Sequence, residues 1–271
     1  MKIAVIMSLY LNDNVDYVSQ AINSILNQTY SYFDFYIQYD GHIKDDVDLY
    51  LSSLEDARIH IYKRDENKGL AKSLNELLSV VMPLDYQFIA RMDADDISTP
   101  DRFEKQVNYL QNHPEVDAVG GAINEIDENG MNRGKVTSYP CTADECRAFF
   151  AKRNPVAHPT VMFRRSFFDK VGWYYPTDYV RNEDTRLWYE GYKHGCKIAN
   201  IPDVVLNFRM TDDMFKNRRN GKAFAKSQLK LRLQIKKDLG YGFMAVVYAY
   251  AMYWLMISPS WLLKLAYKVL R

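Results

Sequence analysis

The chain has 271 residues, of which 48% are hydrophobic and 25% are charged. This length suffices for one large domain, or for one domain with a small appendage, and the composition excludes a disordered, collagen-like or low-complexity chain. The net charge of +1 gives no overall indication of a nucleic-acid partner. Residues 209–271, however, carry a formal charge of +10 and residues 1–208 one of −9, so a basic tail follows an acidic body.

The cysteines and the N-terminus bear on the cellular compartment. Cys141, Cys146 and Cys196 form no CxxC pair and have no histidine spacing that is typical of zinc sites. This pattern argues against a disulfide framework and a zinc site and fits a reducing cytosol. The apolar stretch at residues 1–7 is too short for a signal peptide, so we expect a buried first strand and no export.

Short apolar runs alternate with amphipathic segments in the first 120 residues. Strands are predicted at residues 3–10, 33–39, 58–62, 86–92 and 116–119, and helices at residues 14–26, 69–81 and 100–110. This alternation predicts an α/β domain with a mainly parallel sheet. Ligands of such sheets bind beyond the carboxyl ends of the strands, and Asp40 and the acidic residues 93–96 lie at two such ends.

The pattern is less regular after residue 120. It predicts a hairpin turn at residues 128–130, a short strand at residues 160–163 and a helix at residues 185–194. We expect this part to add strands and an acceptor-facing surface to the same domain rather than to form an independent one.

The basic tail has two parts. Residues 222–237 predict a helix rich in lysine, and residues 239–263 contain no charged residue and many Tyr, Met and Trp residues. The second part is long enough for a membrane span of about 20 residues, but Gly240, Gly242 and the break at residues 258–260 divide it, and its aromatic residues are typical of a membrane interface. We favour a segment that lies on an anionic membrane surface; the alternatives are a helix packed on the core and a true span.

Asp93, Asp95 and Asp96 stand together after an apolar strand. Three neighbouring carboxylates repel one another unless a cation neutralises them, and ligation by oxygen alone favours Mg²⁺ or Mn²⁺ over zinc. The alternative is that Asp96 or Ser98 caps the helix that begins near Pro100. Capping explains one aspartate but not the set.

Several segments, in order along residues 1–210, resemble the family 2 glycosyltransferases. The segment with the most specific resemblance is residues 88–98, the DxD region, together with Arg102 and Gln106 on the following helix. The other matching segments are the first strand (residues 3–10, with Ser8 where the family usually has proline), Asp40, the NxGxxxxxN pattern at residues 67–75, the turn at residues 171–174 and the Glu-Asp motif at residues 182–188. The resemblance implies the type A glycosyltransferase fold, a nucleotide-sugar-binding α/β domain followed here by a basic, aromatic helical tail. It implies a nucleotide-binding half at residues 1–120 and an acceptor-binding half at residues 121–210, and the basic, aromatic composition predicts a membrane-associating tail at residues 211–271.

The resemblance also implies a donor site. Asp40 would accept a hydrogen bond from N3–H of uracil, which favours a UDP-sugar; it fits a turn with Gly41 equally well. Asp95 would ligate the metal that bridges the diphosphate, Asp93 would contact the metal or the ribose, and Asp96 is the third candidate metal ligand. The remaining residues assigned to the nucleotide are Tyr10, Asn67, Lys72 and Arg91. For Lys72 the alternative is a solvated helix face, and for Arg91 an ion pair with Asp93.

The Glu-Asp motif would supply the catalytic base. Asp184 is expected to take the proton of the acceptor hydroxyl, with Glu183 able to share or replace this role; the alternative is that both acids complement the helix dipole. His158 fits the acceptor site or a structural role, and Trp173, Tyr174 and Tyr175 fit sugar stacking or packing. The pair Phe208–Arg209 resembles a late family motif, but Thr211 replaces the usual histidine.

Together these features predict an inverting, Mn²⁺- or Mg²⁺-dependent hexosyltransferase that forms a β-linkage from a UDP-sugar, with glucose or galactose as the favoured sugar. The resemblance implies GlcNAc-diphospho-undecaprenol, or a similar lipid-linked intermediate of bacterial O-antigen or polysaccharide synthesis, as the acceptor, and the basic, aromatic tail indicates the cytoplasmic face of the cell membrane. The alternatives are a non-catalytic sugar- or nucleotide-binding module and a nucleotidyltransferase, although residues 8–16 lack the Gly, Lys and Arg that the latter needs. A nucleic-acid binder fits the basic tail but not the acidic body.

Overall fold

The computed structural model describes residues 1–172, 174–177, 182–211 and 222–258. Within these residues, nine strands form one sheet in the order β3-β2-β1-β4-β8-β6-β9-β5, and β7 pairs with β6. The strands are β1 (Ile3–Leu9), β2 (Phe33–Tyr39), β3 (Ile59–Tyr62), β4 (Phe88–Arg91), β5 (Ile97–Ser98), β6 (Ala118–Ile126), β7 (Asn132–Thr137), β8 (Met162–Arg164) and β9 (Ile198–Arg209). The helices are α1 (Val15–Leu26), α2 (Asp45–Ser52), α3 (Leu70–Val81), α4 (Arg102–Asn112), α5 (Ala143–Phe150), α6 (Arg165–Val171), α7 (Glu183–Lys193), α8 (Lys222–Asp238) and α9 (Phe243–Ile257).

The first half of the sheet is parallel. β1 pairs in parallel with β2 and β4, and β2 pairs in parallel with β3. β1 is apolar except for Ser8, because both of its faces are covered. Val5 and Met7 join the core cluster that includes α1, whereas Ala4 and Ile6 join the cluster that includes α3. Helix α1 begins where the sequence predicts, because the side chain of Asn14 accepts hydrogen bonds from the first-turn amides.

The second half is mixed and continues the same sheet. β6 pairs in parallel with β9 and antiparallel with β7 and β8. The predicted hairpin turn connects β6 to β7, with Gly130 at a φ of 81°. Because β6 contains residues 120 and 121, the two halves of the body share a strand. The sequence predictions did not include α2, α5, α6, β5 or β9.

The described part of the tail, residues 222–258, is mainly helical and packs on the body. Leu231 and Ile235 of α8 are buried in the same core cluster as Trp188 of α7, so this helix packs on the body. Helix α9 packs against α8. Across the described part of the tail and body, every helix is too short or too polar to cross a bilayer. The predicted uncharged segment is described only as far as residue 258.

Candidate active site

Residues from both halves of the body and from the tail line one cavity of about 1310 Å³ at the carboxyl ends of β1, β2 and β4. The predicted site residues that line it are Tyr10, Asp40, Asn67, Lys72, Arg91, Asp93, Asp95, Glu183 and Asp184. Asp96 is almost fully buried instead. Residues that are up to 174 positions apart in the sequence therefore face a common space.

Asp40 is held at the start of α3. Its carboxylate accepts hydrogen bonds from the backbone amides of Lys68 (2.7 Å) and Gly69 (2.9 Å), and it forms an ion pair with Arg64. The side chain of Asn67 donates to the Asp40 carbonyl (3.1 Å), so residues 67–69 wrap around the end of β2. Arg64 is a site residue that the sequence analysis missed, because one charged residue after a strand carries no specific pattern. Lys72 is exposed and lies on the cavity wall.

Asp93, Asp95 and Asp96 form a cluster whose carboxylate oxygens lie within 4.8 Å of one another. Burial raises the pKa of Asp96 well above its ordinary value, and the charges of Asp95 and Asp93 act in the same direction. Oδ2 of Asp96 is buried and has no hydrogen-bond partner among the described residues. An orphaned buried oxygen next to two further carboxylates fits a divalent cation with oxygen ligands.

The capping alternative for this cluster is wrong. The N-cap residue of α4 is Asp101, and neither Asp96 nor Ser98 caps this helix. Instead, Oδ1 of Asp96 accepts a hydrogen bond from the backbone amide of Arg209 (2.8 Å). Arg91 is 1% exposed and forms an ion pair with Asp93. This contact confirms the ion-pair alternative for Arg91.

Arg209, at the end of β9, holds the acidic turn in place. Its Nε donates to the Asp95 carbonyl (2.8 Å), its Nη2 donates to Gln20 (2.7 Å), and its guanidinium lies 4.1 Å from the ring centroid of Tyr17. Because the side chain is buried, these contacts fix its position. The sequence resemblance pointed to Arg209, and the structure shows that its contacts support the turn.

Glu183 and Asp184 form the first turn of α7. Oδ2 of Asp184 accepts a hydrogen bond from Nδ2 of Asn154 (2.8 Å), and Oδ1 accepts one from the Thr185 amide (2.5 Å). Burial, and secondarily the adjacent charge of Asp184, raise the pKa of Glu183 from its ordinary 4.5 to about 7. The two acids therefore have different surroundings although they are neighbours. Asn154 is a second residue that the sequence analysis missed.

The aromatic residues considered for sugar stacking differ in their exposure. Tyr175 is 0% exposed, and its hydroxyl lies 3.1 Å from Nε2 of His158, so of the two alternatives for Tyr175 the packing one is confirmed: its ring belongs to the core. Burial lowers the pKa of His158 well below its ordinary value, so the imidazole is neutral at pH 7. Tyr174 is exposed, and Trp173 lies outside the described residues.

The sequence of this chain matches one family profile and several known proteins. The sequence profile named Glycosyl transferase family 2 matches residues 4–172. The amylovoran biosynthesis glycosyltransferase AmsE of Erwinia amylovora is 33% identical over 84% of this chain and 83% of its own length. The UDP-Gal:alpha-D-GlcNAc-diphosphoundecaprenol beta-1,3-galactosyltransferase of Escherichia coli is 27% identical over 84% of this chain and 81% of its own length.

Solved structures share the fold at low sequence identity. S. aureus TarS 1-349 in complex with UDP-GlcNAc has a TM-score of 0.65 and 15% identity over 93% of this chain and 70% of its own. The mannosyltransferase PcManGT from Pyrobaculum calidifontis, in complex with GDP-Man and Mn²⁺, has a TM-score of 0.61 and 17% identity over 98% of this chain and 75% of its own. The predicted type A glycosyltransferase fold with a helical tail is therefore confirmed.

Proposed function

The chain belongs to glycosyltransferase family 2, and from this premise we propose that it transfers a hexose from a UDP-sugar to a sugar acceptor with inversion of the anomeric centre. The observation that carries the proposal is that the acidic cluster at residues 93–96 and the Glu183–Asp184 pair face one cavity. Glucose and galactose are the favoured sugars, and the product linkage is β.

The donor is assigned to the strand-end side of the cavity. To Asp40, which is fixed by the start of α3, we assign the hydrogen bond from N3–H of uracil, and to Tyr10, Asn67 and Lys72 further contacts with the nucleotide. The name of the E. coli relative specifies UDP-Gal, which supports a uridine nucleotide here.

The residues that would hold a metal are Asp95, Asp93 and Asp96, and Mn²⁺ or Mg²⁺ suits their oxygen ligands. When bound, such an ion supplies positive charge that stabilises the departing diphosphate. The name of the PcManGT complex includes Mn²⁺, which supports this assignment. Arg91 orients Asp93 through their ion pair and adds a fixed positive charge beside it.

The acceptor is assigned to the α7 side. Asp184 takes the proton of the acceptor hydroxyl as the new oxygen–carbon bond forms. The electron pair of the old bond to the anomeric carbon leaves with UDP. Because the hydroxyl attacks opposite the leaving group, an α-linked donor gives a β-linked product. Glu183 lies next to this carboxylate and is the alternative base.

The tail supports a lipid-linked acceptor. Helix α8 exposes Lys222, Lys226, Lys230 and Lys237. Helix α9 exposes an apolar stripe, which consists of Phe243, Met244, Val247, Tyr250 and Trp254. Its opposite side lines the cavity through Ala249, Met252, Tyr253 and Met256.

The exposed apolar stripe of α9 and the exposed lysines of α8, against which α9 packs, suit an anionic bilayer surface. We assign the chain to the cytoplasmic face of the cell membrane as a peripheral protein. A sugar diphosphate on a lipid, such as GlcNAc-diphospho-undecaprenol, would reach the cavity along the inner side of α9. The galactosyltransferase of E. coli is named for an acceptor of this class.

The test is a screen of UDP-sugars with Mn²⁺ against a synthetic GlcNAc-diphosphate lipid. Mass spectrometry measures the addition of one hexose, and NMR measures the anomeric configuration of the product. We expect transfer from one UDP-hexose, a β-linkage and loss of activity after chelation. An α-linked product, or full activity after complete chelation, contradicts the proposed mechanism.

A further inference from the structure

The carboxylate of Asp184 is connected to the tail by two hydrogen bonds. Nδ2 of Asn154 donates to Oδ2 of Asp184 (2.8 Å), and Nη2 of Arg232 donates to Oδ1 of the same asparagine (3.2 Å). Asn154 follows α5 in the body, whereas Arg232 belongs to α8. All three side chains line the cavity.

Arg232 is itself held in place. Its Nη1 donates to the Phe150 carbonyl at the end of α5 (2.9 Å), and its guanidinium lies 5.3 Å from the ring centroid of Phe150. Burial lowers the pKa of Arg232 to about 10, so the side chain remains charged at neutral pH. A planar guanidinium with two fixed partners has little freedom to turn away.

The two bonds determine which way the Asn154 amide points. A guanidinium only donates hydrogen bonds, and an ionised carboxylate only accepts them. If the amide turned by 180°, its nitrogen would face Arg232 and its oxygen would face Asp184, and both bonds would be lost. Arg232 therefore keeps the donor of Asn154 directed at the carboxylate.

We propose that Arg232 and Asn154 are positioning residues that hold the Asp184 carboxylate toward the acceptor hydroxyl, so that the tail helix α8 is part of the active site. This inference rests on the proposed function, because it needs Asp184 as the base. Catalytic groups must lie within a fraction of an ångström of their working position, and a misplacement of 1 Å can cost about 100-fold in rate.

The experiment compares transfer by four single variants: Asn154→Ala, Arg232→Gln, Arg232→Lys and, as the matched control, Arg133→Gln at an exposed arginine of β7. We expect Asn154→Ala and Arg232→Gln to lower kcat by about 10- to 100-fold while KM for the UDP-sugar stays within about twofold. Arg232→Lys should have a higher kcat than Arg232→Gln, since an ammonium can still donate to the Phe150 carbonyl or to Oδ1 of Asn154. Arg133→Gln should equal the wild type.

A double-mutant cycle separates positioning from a structural role. In an Asp184→Asn background, Asn154→Ala should lower the residual rate little further, because the carboxylate that it positions is gone. Equal losses in both backgrounds, or a rise in KM without a fall in kcat, would overturn the proposal. If Asn154→Ala does not fold, Arg232→Gln and Arg232→Lys provide the test. A lower kcat with an almost unchanged KM in Arg232→Gln, partly restored in Arg232→Lys, supports positioning, and a higher KM with an unchanged kcat contradicts it.

The outcomes distinguish this inference from the proposed function. If Asp184→Asn loses transfer but Asn154→Ala and Arg232→Gln keep the wild-type kcat, the positioning role is wrong and the proposed function stands. If the wild type transfers no sugar, or Asp184→Asn transfers it at the wild-type rate, the assigned mechanism fails and this inference fails with it.

Discussion

Two adjacent carboxyl groups differ because of their surroundings. Asp184 accepts hydrogen bonds from Asn154 and from the Thr185 amide. Glu183 has a pKa raised to about 7, mainly by burial. A group with this pKa exchanges its proton near neutral pH, so Glu183 affects both stability and the charge of the site in that range.

The raised pKa of Glu183 predicts a pH-dependent stability. Since the folded state keeps the proton between pH 4.5 and about 7 whereas the unfolded chain releases it, the free energy of unfolding should fall as pH rises through this window. One pKa unit corresponds to about 1.4 kcal/mol, so the fall attributable to this residue is up to about 3 kcal/mol. Glu183→Gln should flatten the fall, measured by urea unfolding between pH 4.5 and 8. An exposed control, Glu55→Gln, should keep the wild-type slope, and an unchanged slope in Glu183→Gln would refute the assignment.

The contacts of Arg209 predict that its substitution changes the Mn²⁺ dependence of sugar transfer. Its guanidinium donates to the Asp95 carbonyl, to Gln20 and to the carbonyls of Asp127 and Glu128, and a lysine cannot satisfy these partners together. Arg209→Lys should loosen the acidic turn and raise the Mn²⁺ concentration for half-maximal transfer by about tenfold or more. Excess Mn²⁺ should restore much of the rate. Arg133→Lys, on the exposed strand β7, is the control; equal Mn²⁺ dependence of the two variants would contradict the role of Arg209.

At the scale of elements, α5 supports the positioning pair. The helix begins with a capping box, in which the Thr142 side chain accepts from the Glu145 amide and the Glu145 side chain accepts from the Thr142 amide. It ends at Phe150, whose carbonyl accepts from Arg232. The start of α5 therefore contributes to the stability of the element that anchors α8.

Loss of this cap has a predictable cost. Thr142→Ala should lower the free energy of unfolding by about 1 kcal/mol, whereas Thr142→Ser, which keeps the hydroxyl, should lower it much less. Urea unfolding at pH 7 measures both values. Equal stability of the alanine and serine variants would show that the cap contributes nothing.

The elements that could be predicted from sequence are those with one clear periodicity. β1 is a continuous apolar run, and α1 and α3 have apolar residues at helical spacing. β9 was not predicted because Pro202 and Asp203 interrupt it where its pairing with β6 shifts register. α2 was not predicted because it is short, starts with acidic residues and buries only Val47 and Leu51. The capping box of α5, in contrast, is a readable pattern that the sequence analysis overlooked.

The site residues could likewise be predicted only where they belong to a sequence pattern. The carboxylates at strand ends could be predicted, because parallel strands bring their carboxyl ends to one edge. Asn154 and Arg232 could not, since a single amide and one arginine in a basic helix form no pattern, and their contact joins residues 78 positions apart. The choice between stacking and packing stayed open for Tyr175, because an aromatic residue in a predicted acceptor turn gives no indication of its burial.

At the scale of the whole molecule, the tail predicts binding to anionic membranes. Burying a phenylalanine side chain contributes about 1.5–3 kcal/mol, so Phe243→Ser should weaken binding to phosphatidylglycerol-containing vesicles by about tenfold or more. Cosedimentation measures the bound fraction, which should also fall with added salt and with phosphatidylcholine vesicles. Leu49→Ser on α2 is the matched control, because Leu49 is 73% exposed and Phe243 is 75% exposed. Equal binding of the two variants would remove α9 from the membrane contact.

The central claim is that one cavity contains both a cation-dependent binding site for the donor diphosphate and a separate base for the acceptor hydroxyl. The most direct measurement determines UDP-sugar affinity with Mn²⁺ and single-turnover transfer in parallel for Asp95→Asn and Asp184→Asn. The account predicts that Asp95→Asn weakens donor binding and transfer together. It predicts that Asp184→Asn binds donor like the wild type but transfers sugar at least about 100-fold more slowly. Wild-type transfer by Asp184→Asn, or donor binding by Asp95→Asn that still responds normally to Mn²⁺, would contradict the account.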